Sequence, residues 1–329
     1  MSLIRFLRAT LIEGLGVYWT LAKVMIPVMV AVRILVELGV LPILARVFAP
    51  LMALVGLPSE LGLVWATVLL VNIYGGTAVL LGILPELTLT TAQMTIIGTM
   101  VLIAHSIPLE QRVSQRAGVG FVFSTLLRVL GALACGALMN LFYRSLNWLQ
   151  EPVTLTLLSG NGAPATEQGW GDWALASLHT LGIILAIVVG LVLLLRVMDK
   201  TGVTRMLTNL LAPVLGAVGI GGRAMPLTMV GILLGLSYGG ALIIKEGQAG
   251  TIPRKDLFLS VCLLGLCHSL IEDSLFIMAL GAHWSGVVVF RVIFSLVVIA
   301  GLARVYGLLP QGVVNRVFFS RDGRAVVTV

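Results

Sequence analysis

Two short segments of the sequence carry imidazole, hydroxyl and carboxylate groups in the same order. They are AHSIPLE at 104–110 and CHSLIED at 267–273, which hold His105, Ser106, Glu110, His268, Ser269, Glu272 and Asp273. In each segment Ser precedes an acid by four residues, so we expect the two side chains to share a helical face. Imidazole and carboxylate groups bind and relay protons near neutral pH. The segments are therefore candidates for a coupling site that binds H+ or Na+.

The surroundings of Glu272 and Asp273 are apolar, and an ionisable group at membrane depth is functional by default. Purely structural roles are also compatible with the sequence. Glu110 lies beside Arg112 and Arg116 and would be unremarkable in a cytoplasmic turn. Glu272 and Asp273 would also suit a helix cap, and each His would suit a hydrogen-bonded position in the core.

Two arginines, Arg128 and Arg291, lie inside apolar runs. A buried guanidinium needs an anion, and the candidates are Glu110, Asp273 or an anionic substrate. The alternative is a structural salt bridge that fixes two helices. Arg33 and Arg196 lie nearer to span ends, where their side chains reach the interface, and we interpret them as structural.

Glycine pairs interrupt two apolar segments, in NIYGGT at 72–77 and SYGG at 237–240. Each Gly weakens a helix by about 1 kcal/mol relative to Ala. Backbone exposed by an unwound helix belongs where it lines protein or a wet cavity. We therefore predict a solute site at these residues: Asn72, Tyr74, Gly75, Gly76, Ser237, Tyr238, Gly239 and Gly240. The alternative is close helix packing by small residues.

These motifs recur because the sequence repeats itself. Aligning Pro213 with Pro50 gives an offset of 213 − 50 = 163, and the same offset pairs His268 with His105 and Arg291 with Arg128. Tyr238 pairs with Tyr74 after a slip of one residue. The chain is thus predicted to hold two copies of one unit.

Composition sets the class of protein. Of 329 residues 59% are hydrophobic and 11% charged, with mean hydropathy +1.09, whereas a soluble domain is about a quarter charged. The net charge of +7 is scattered between apolar runs, which indicates positive-inside topology rather than nucleic-acid binding. Cysteines 135, 262 and 267 form no CxxC pair, and no nucleotide loop, zinc-protease or hydrolase motif occurs. We expect no metal, no cofactor and no enzymatic activity.

We predict an all-α membrane protein of two inverted five-segment helical repeats with discontinuous helices. Its parts are an interfacial amphipathic helix at 1–16, a first repeat at 17–146, a non-cytoplasmic linker at 147–172, a second repeat at 173–307 and a cytoplasmic tail at 308–329. Basic residues place both termini in the cytoplasm. Arg46 and Arg223 fall outside in this scheme, unless they belong to re-entrant segments. Segments 43–57 and 203–220 are short for a full crossing.

With both glycine pairs and both His-Ser segments considered, the chain resembles the nucleoside-recognition or "gate" domain family, with two gate domains in tandem. That family includes spore maturation membrane proteins and is distantly similar to concentrative nucleoside transporters. The resemblance implies a polytopic helical protein that passes a small polar solute. The chain lacks the GTPase domain and matched gate cysteines of the similar iron transporters.

The expected function is secondary transport of a small polar solute, such as a nucleoside or organic anion, in a bacterial inner membrane. Lipid is the expected partner, and a homo-oligomer is left open. A non-transporting accessory or scaffold subunit is the alternative. A membrane enzyme comes third, because one active site does not need two inverted copies.

Overall fold

The computed structural model describes residues 3–39, 41–84, 87–153, 169–235, 244–245 and 249–320. These residues form helices joined by short turns, and no β-strand is found among them. The predicted site residues Ser237, Tyr238, Gly239 and Gly240 lie outside the described residues.

The described part of the first half contains seven helices. They are α1 (Leu3–Glu37), α2 (Leu41–Leu54), α3 (Leu61–Leu70), α4 (Ile73–Ile83), α5 (Thr91–Ile103), α6 (Ile107–Arg116) and α7 (Phe121–Ser145).

In the described part of the second half, the same order returns. The helices are α8 (Trp170–Thr201), α9 (Val203–Ala217), α10 (Met225–Leu234), α11 (Arg254–Cys267), α12 (Glu272–Ala279), a π-helical segment (Ser285–Phe290), α13 (Arg291–Leu308) and α14 (Gln311–Val317). An offset of 163 or 164 relates the starts of α5 and α11 and those of α3 and α10, as 254 − 91 = 163 and 225 − 61 = 164.

Six helical stretches within the described residues are long and apolar enough to cross a membrane. They are Arg8–Leu35, Thr91–Arg116, Phe121–Ser145, Trp170–Met198, Arg254–Ala279 and Ser285–Leu308. The protein is therefore an all-α membrane protein, as predicted. Among the described residues each half has three such stretches rather than the five predicted. Helices α2 and α9 have 14 and 15 residues and span only about 21–22 Å, and the predicted segment 225–247 lies partly outside the described residues. The inversion of the repeats stays a prediction.

Helix α1 continues through residue 16, where the sequence predicted a boundary between a surface helix and a first span. Its 35 residues extend about 52 Å, well beyond a hydrocarbon core of about 30 Å. The first turns of α1 must therefore project from the core or lie in the interface.

Segment 61–84 was expected to cross the membrane with a break at Gly75-Gly76, and that expectation is wrong. Helices α3 and α4 fold back on each other, and the chain reverses at Val71-Asn72. A Cβ on Gly76 would overlap the Val68 side chain and lie 3.2 Å from the Val64 carbonyl oxygen. Both glycines are helical, and Gly76 allows the two arms to touch. Arms of 10 and 11 residues reach about 15 Å, which is half of a bilayer core.

Backbone contacts fix which turns lie at the same end of the bundle. Gly120 N–H donates to Phe318 O at 2.8 Å, and Ser320 N–H donates to Gly118 O at 2.9 Å. At the other end of α5–α6, Thr91 N–H donates to Glu151 O at 2.9 Å. The start of the linker and the segment after α14 therefore lie at opposite ends of the crossing stretch Thr91–Arg116.

Replacing Gly76 by Ala tests the hairpin formed by α3 and α4. Overpacking between the arms is expected to destabilise the protein by about 1–3 kcal/mol, although Ala favours a helix. The matched control is Gly190→Ala, because a Cβ at Gly190 in α8 meets nothing within 4 Å. Thermal unfolding of the detergent-purified protein measures both. Equal melting temperatures for the two variants would contradict the close approach of the arms.

Cysteine labelling tests the arrangement of the ends. Glu151→Cys and Gln311→Cys introduce exposed thiols, whereas the natural cysteines are buried. We expect an impermeant maleimide to label Glu151→Cys in intact cells and Gln311→Cys only after permeabilisation, given the predicted cytoplasmic tail. Labelling of both from the same side would refute the arrangement.

Candidate functional site

Both crossing stretches that carry the His-Ser segments are broken at those segments. Ser106 lies between α5 and α6 with φ 48°, and Ser269 lies between α11 and α12 with φ 46°. A non-glycine residue in this left-handed region costs of order 1–3 kcal/mol and needs support from its surroundings. Since each Ser precedes its following helix, the expectation that Ser and acid share a helical face is wrong. Pro108 occupies the first turn of α6, where proline is tolerated, and does not kink a continuous helix.

The hairpin supplies support for the first break. Ser106 N–H donates to Val68 O at 2.9 Å, and the Ser106 hydroxyl donates to Val71 O at 3.1 Å. In the second half Leu270 N–H donates to Ile232 O at 2.8 Å, so the end of α10 meets the second break. The backbone groups freed by each break are thus bonded to the short helix beside it, as the bilayer requires.

The two histidines at the breaks touch each other. His105 Nε2 lies 3.0 Å from His268 Nε2, and both rings are buried. Nδ1 of His105 lies 3.0 Å from Val101 O, and Nδ1 of His268 lies 2.7 Å from Leu264 O. Since a carbonyl only accepts, both Nδ1 atoms carry hydrogen, and in the neutral rings both Nε2 atoms are acceptors. Contact between equivalent residues is the hallmark of a two-fold relation between two units.

Glu110 completes this contact from α6. It is buried, with Oε1 3.0 Å from His105 Nε2 and 3.5 Å from His268 Nε2, while Oε2 pairs with Arg128 Nη1. The alternative that Glu110 lies in an exposed cytoplasmic turn is wrong, because α6 continues the crossing stretch. The predicted pairing of Arg128 with Glu110 is present.

Arg291 differs from Arg128. Its Nε donates to Leu266 O at 3.0 Å, and its Nη2 donates to Leu102 O at 3.0 Å and His268 O at 2.8 Å. Asp273 is not its hydrogen-bond partner. Arg128 Nε likewise donates to Ile103 O at 2.8 Å. Both arginines therefore bond carbonyl groups at the C-terminal ends of broken helices, which have no partner within the helix.

Glu272 and Asp273 lie in the first turn of α12, where the helix dipole favours negative charge. Both are half-buried, and a carboxylate oxygen of Asp273 lies within 4.8 Å of ligand atoms of His105 and His268. Tyr74 from the hairpin packs on Phe276 of α12 at 4.9 Å between ring centroids. The first half's hairpin thus reaches the second half's broken helix.

The predicted solute residues of the hairpin have structural roles in this conformation. The Asn72 side chain caps α4 and accepts from Gly75 N–H at 2.8 Å. A cavity of about 20 Å³ lies beside Gly76 and Thr77, with an otherwise apolar lining. That volume holds roughly one water molecule, so this cavity does not accommodate a nucleoside.

A second polar network was not predicted from the sequence. Tyr143 OH lies 2.8 Å from Ser285 Oγ, and Ser285 Oγ lies 2.9 Å from His283 Nδ1. The backbone N–H of His283 donates to Thr95 Oγ1 at 2.9 Å. The sequence held one signal of this network, because the repeat offset of 306 − 143 = 163 pairs Tyr143 with Tyr306. Thr95, His283 and Ser285 have no equivalent residue of the same type in the other repeat, and only the fold brings them together.

The two arginines predicted to be structural lie on the first helices of the halves. Arg196 donates from Nε to Glu13 Oε2 at 2.8 Å, and Arg33 lies 5.6 Å from the ring of Trp170. Helices α1 and α8 therefore pack antiparallel.

Comparison with known proteins supports the membrane character of the chain. It is similar to the uncharacterized membrane protein YvoD of Bacillus subtilis (strain 168), with 24% identity over 277 residues, which cover 83% of this chain and 86% of the relative. No protein-family model matches the chain, and no solved structure matches it. The resemblance to gate domains stays an expectation from the motifs.

Breaking the Glu110–Arg128 pair tests the energetics of the site. Arg128→Met leaves the Glu110 carboxylate buried without its guanidinium, and we expect a loss of about 3–5 kcal/mol in unfolding free energy. Adding Glu110→Gln removes that charge and should restore part of the loss. The control is Arg196→Met, which breaks the exposed pair with Glu13 and should cost at most about 1 kcal/mol. Denaturant unfolding in detergent measures all three, and equal losses for Arg128→Met and Arg196→Met would contradict the burial.

Proposed function

We propose that the protein is a secondary transporter that moves a small polar solute by alternating access. The observation that carries the proposal is the contact of His105 with His268, where broken crossing helices of the two halves meet. Broken helices near the midplane, at the interface of two repeats, are the construction of many secondary transporters.

The energetic cost of the residues around the two breaks indicates that this region changes conformation. Two left-handed serines, two buried guanidiniums and a buried carboxylate all oppose stability, whereas unbroken apolar helices would hold a scaffold together at lower cost. Strain and charge of this kind persist where function requires them. An enzyme is not proposed, because one active site does not need two inverted copies.

The three long spans found in the described part of each half support opposite insertion of the halves. With an odd number of crossings, the second half enters from the side opposite to the first. In this arrangement most spans have a basic residue at their cytoplasmic end. These residues are Arg8, Arg116, Lys200, Arg254 and Arg304. Since α9 is too short to cross, Arg223 before α10 falls on the same side as Lys200, the cytoplasmic side, while Arg46 and Arg144 stay outside.

In this proposal the α3–α4 hairpin contacts the solute, and Glu272 and Asp273 bind the coupling ion. The tip of the hairpin lies about halfway across the membrane, so solute reaches it when the two halves separate on one side. Asn72 then offers the hydrogen bond that it accepts from Gly75 N–H in the closed state, and Tyr74 offers the hydroxyl of a ring that packs on Phe276 in that state. Glu272 and Asp273 lie across from Tyr74 and bind the coupling H+ or Na+.

A non-transporting accessory subunit is the second candidate. It is favoured by the mutual pairing of Glu110, Arg128 and the histidines, and by the small size of the cavity beside Gly76. This candidate predicts that no solute crosses the membrane through the purified protein alone.

Uptake into proteoliposomes tests the transporter proposal. Labelled uridine, an amino acid mixture and a dicarboxylate serve as probes under imposed pH and Na+ gradients. We expect gradient-driven accumulation of one probe, reduced to the level of protein-free liposomes by Asp273→Asn and by Glu272→Gln, since both remove a half-buried negative charge. Glu151→Gln, in an exposed turn, is the control and should transport normally.

The outcomes separate the candidates. Accumulation that survives both acid substitutions would remove the coupling role of these residues. No accumulation of any probe by folded wild-type protein would favour the accessory subunit.

A further inference from the structure

We propose that His105, His268, Glu110 and Asp273 form a binding site for a divalent first-row transition-metal ion of the zinc type. The site is defined by the geometry of these four side chains, and it shares Asp273 with the coupling site of the proposed function.

When both rings are neutral, no hydrogen-bond donor lies where they meet. Both histidines use Nδ1–H for backbone carbonyl groups, so their Nε2 lone pairs face each other across 3.0 Å. Glu110 adds a third acceptor, with Oε1 3.0 Å from one Nε2 and 3.5 Å from the other. Three acceptors at such distances repel each other unless a cation lies among them.

The spacing of the ligand atoms fits a tetrahedral ion. Bonds of about 2.0–2.1 Å to nitrogen and oxygen hold the ligand atoms of such an ion about 3.3 Å apart. The separations here are 3.0, 3.0 and 3.5 Å, so the three atoms form one face of such a site. Asp273 has a carboxylate oxygen within 4.8 Å of both histidine ligand atoms, so it lies beside the site and would have to move closer to supply the fourth ligand.

The groups behind the ligands hold them in place. Histidines that ligate metals usually donate their other N–H to a carbonyl or carboxylate, which fixes the tautomer and the ring orientation. Val101 O and Leu264 O do this for the two rings. Arg128 holds the second oxygen of Glu110 and leaves Oε1 directed at the rings.

The chemistry of the ligands selects the class of ion. Two imidazole nitrogens suit zinc and its neighbours, whereas Na+, Mg2+ and Ca2+ prefer oxygen ligands. Glu110, Glu272 and Asp273 carry three negative charges against the two positive charges of Arg128 and Arg291, so 2 − 3 = −1 favours a cation over an anion. The absence of matched cysteines led us to expect no metal site, but the matched ligands are histidines.

Because one histidine comes from each half, a bound ion ties the two breaks together. Its release would free the halves to separate at their point of contact. The ion is therefore expected to stabilise the conformation described here.

Cobalt titration of the full-length protein in detergent tests the site. After removal of metals by EDTA, Co2+ alone is added, and the visible absorption of the ion reports nitrogen coordination in a tetrahedral site. We expect saturation at one Co2+ per chain and displacement by Zn2+. His105→Ala and His268→Ala should each abolish the band. The other two histidines provide matched controls, and His179→Ala and His283→Ala should leave it unchanged.

Two further measurements keep the test decisive if a histidine variant unfolds. Asp273→Asn changes a half-buried ligand conservatively and should weaken Co2+ binding by at least tenfold, while its melting temperature in EDTA stays that of the wild type. Zn2+ should raise the melting temperature of the wild type and not that of His268→Ala. No saturable binding by folded wild type, or a band that survives both His105→Ala and His268→Ala, would overturn the site. The cluster would then hold protons only.

Discussion

A backbone that is broken inside a bilayer must find new hydrogen-bond partners within the protein, and this constraint organises the centre of the molecule. The breaks at Ser106 and Ser269 free carbonyl groups at the ends of α5 and α11. Arg128 and Arg291 bond those carbonyls, which explains why guanidinium groups lie inside apolar runs. The hairpin carbonyls in turn accept from the amide and hydroxyl of Ser106. The two buried arginines and the two strained serines at the centre thus follow from the two breaks.

The contacts around the breaks are symmetric for the histidines and asymmetric for the acids. Both Nδ1 atoms bond the carbonyl four residues earlier, yet Glu110 pairs with Arg128 while Asp273 makes no hydrogen bond to Arg291. Under alternating access the two halves exchange conformations. We then expect a second state in which Asp273 approaches Arg291 and Glu110 loosens from Arg128. The asymmetry described here would be one of two related arrangements of the same residues.

The class of fold and part of the centre could be predicted from the sequence. The 163-residue offset identified His105 and His268 as equivalent residues, and Glu110 was one of the candidate partners of Arg128. The contact between the two rings was not predicted, because equivalence in sequence does not fix distance in space. The path of the hairpin could not be predicted in this way. A Gly-Gly pair is equally compatible with an unwound helix and with close packing, and only the contact of Gly76 with Val68 decides between them. The bonds of Arg291 to carbonyl groups were equally unpredictable, since backbone partners leave no pattern in side-chain types.

The contact between the two histidines is the centre of the proposed mechanism, and nitrogen-15 solid-state NMR measures it most directly. The chain has four histidines, so ring-labelled protein in lipid gives few signals. We predict a through-space correlation between two Nε2 atoms about 3.0 Å apart, both in rings with hydrogen on Nδ1, and its loss in His268→Ala. Absence of any correlation between two histidine rings, or rings with hydrogen on Nε2 and a bare Nδ1, would contradict it.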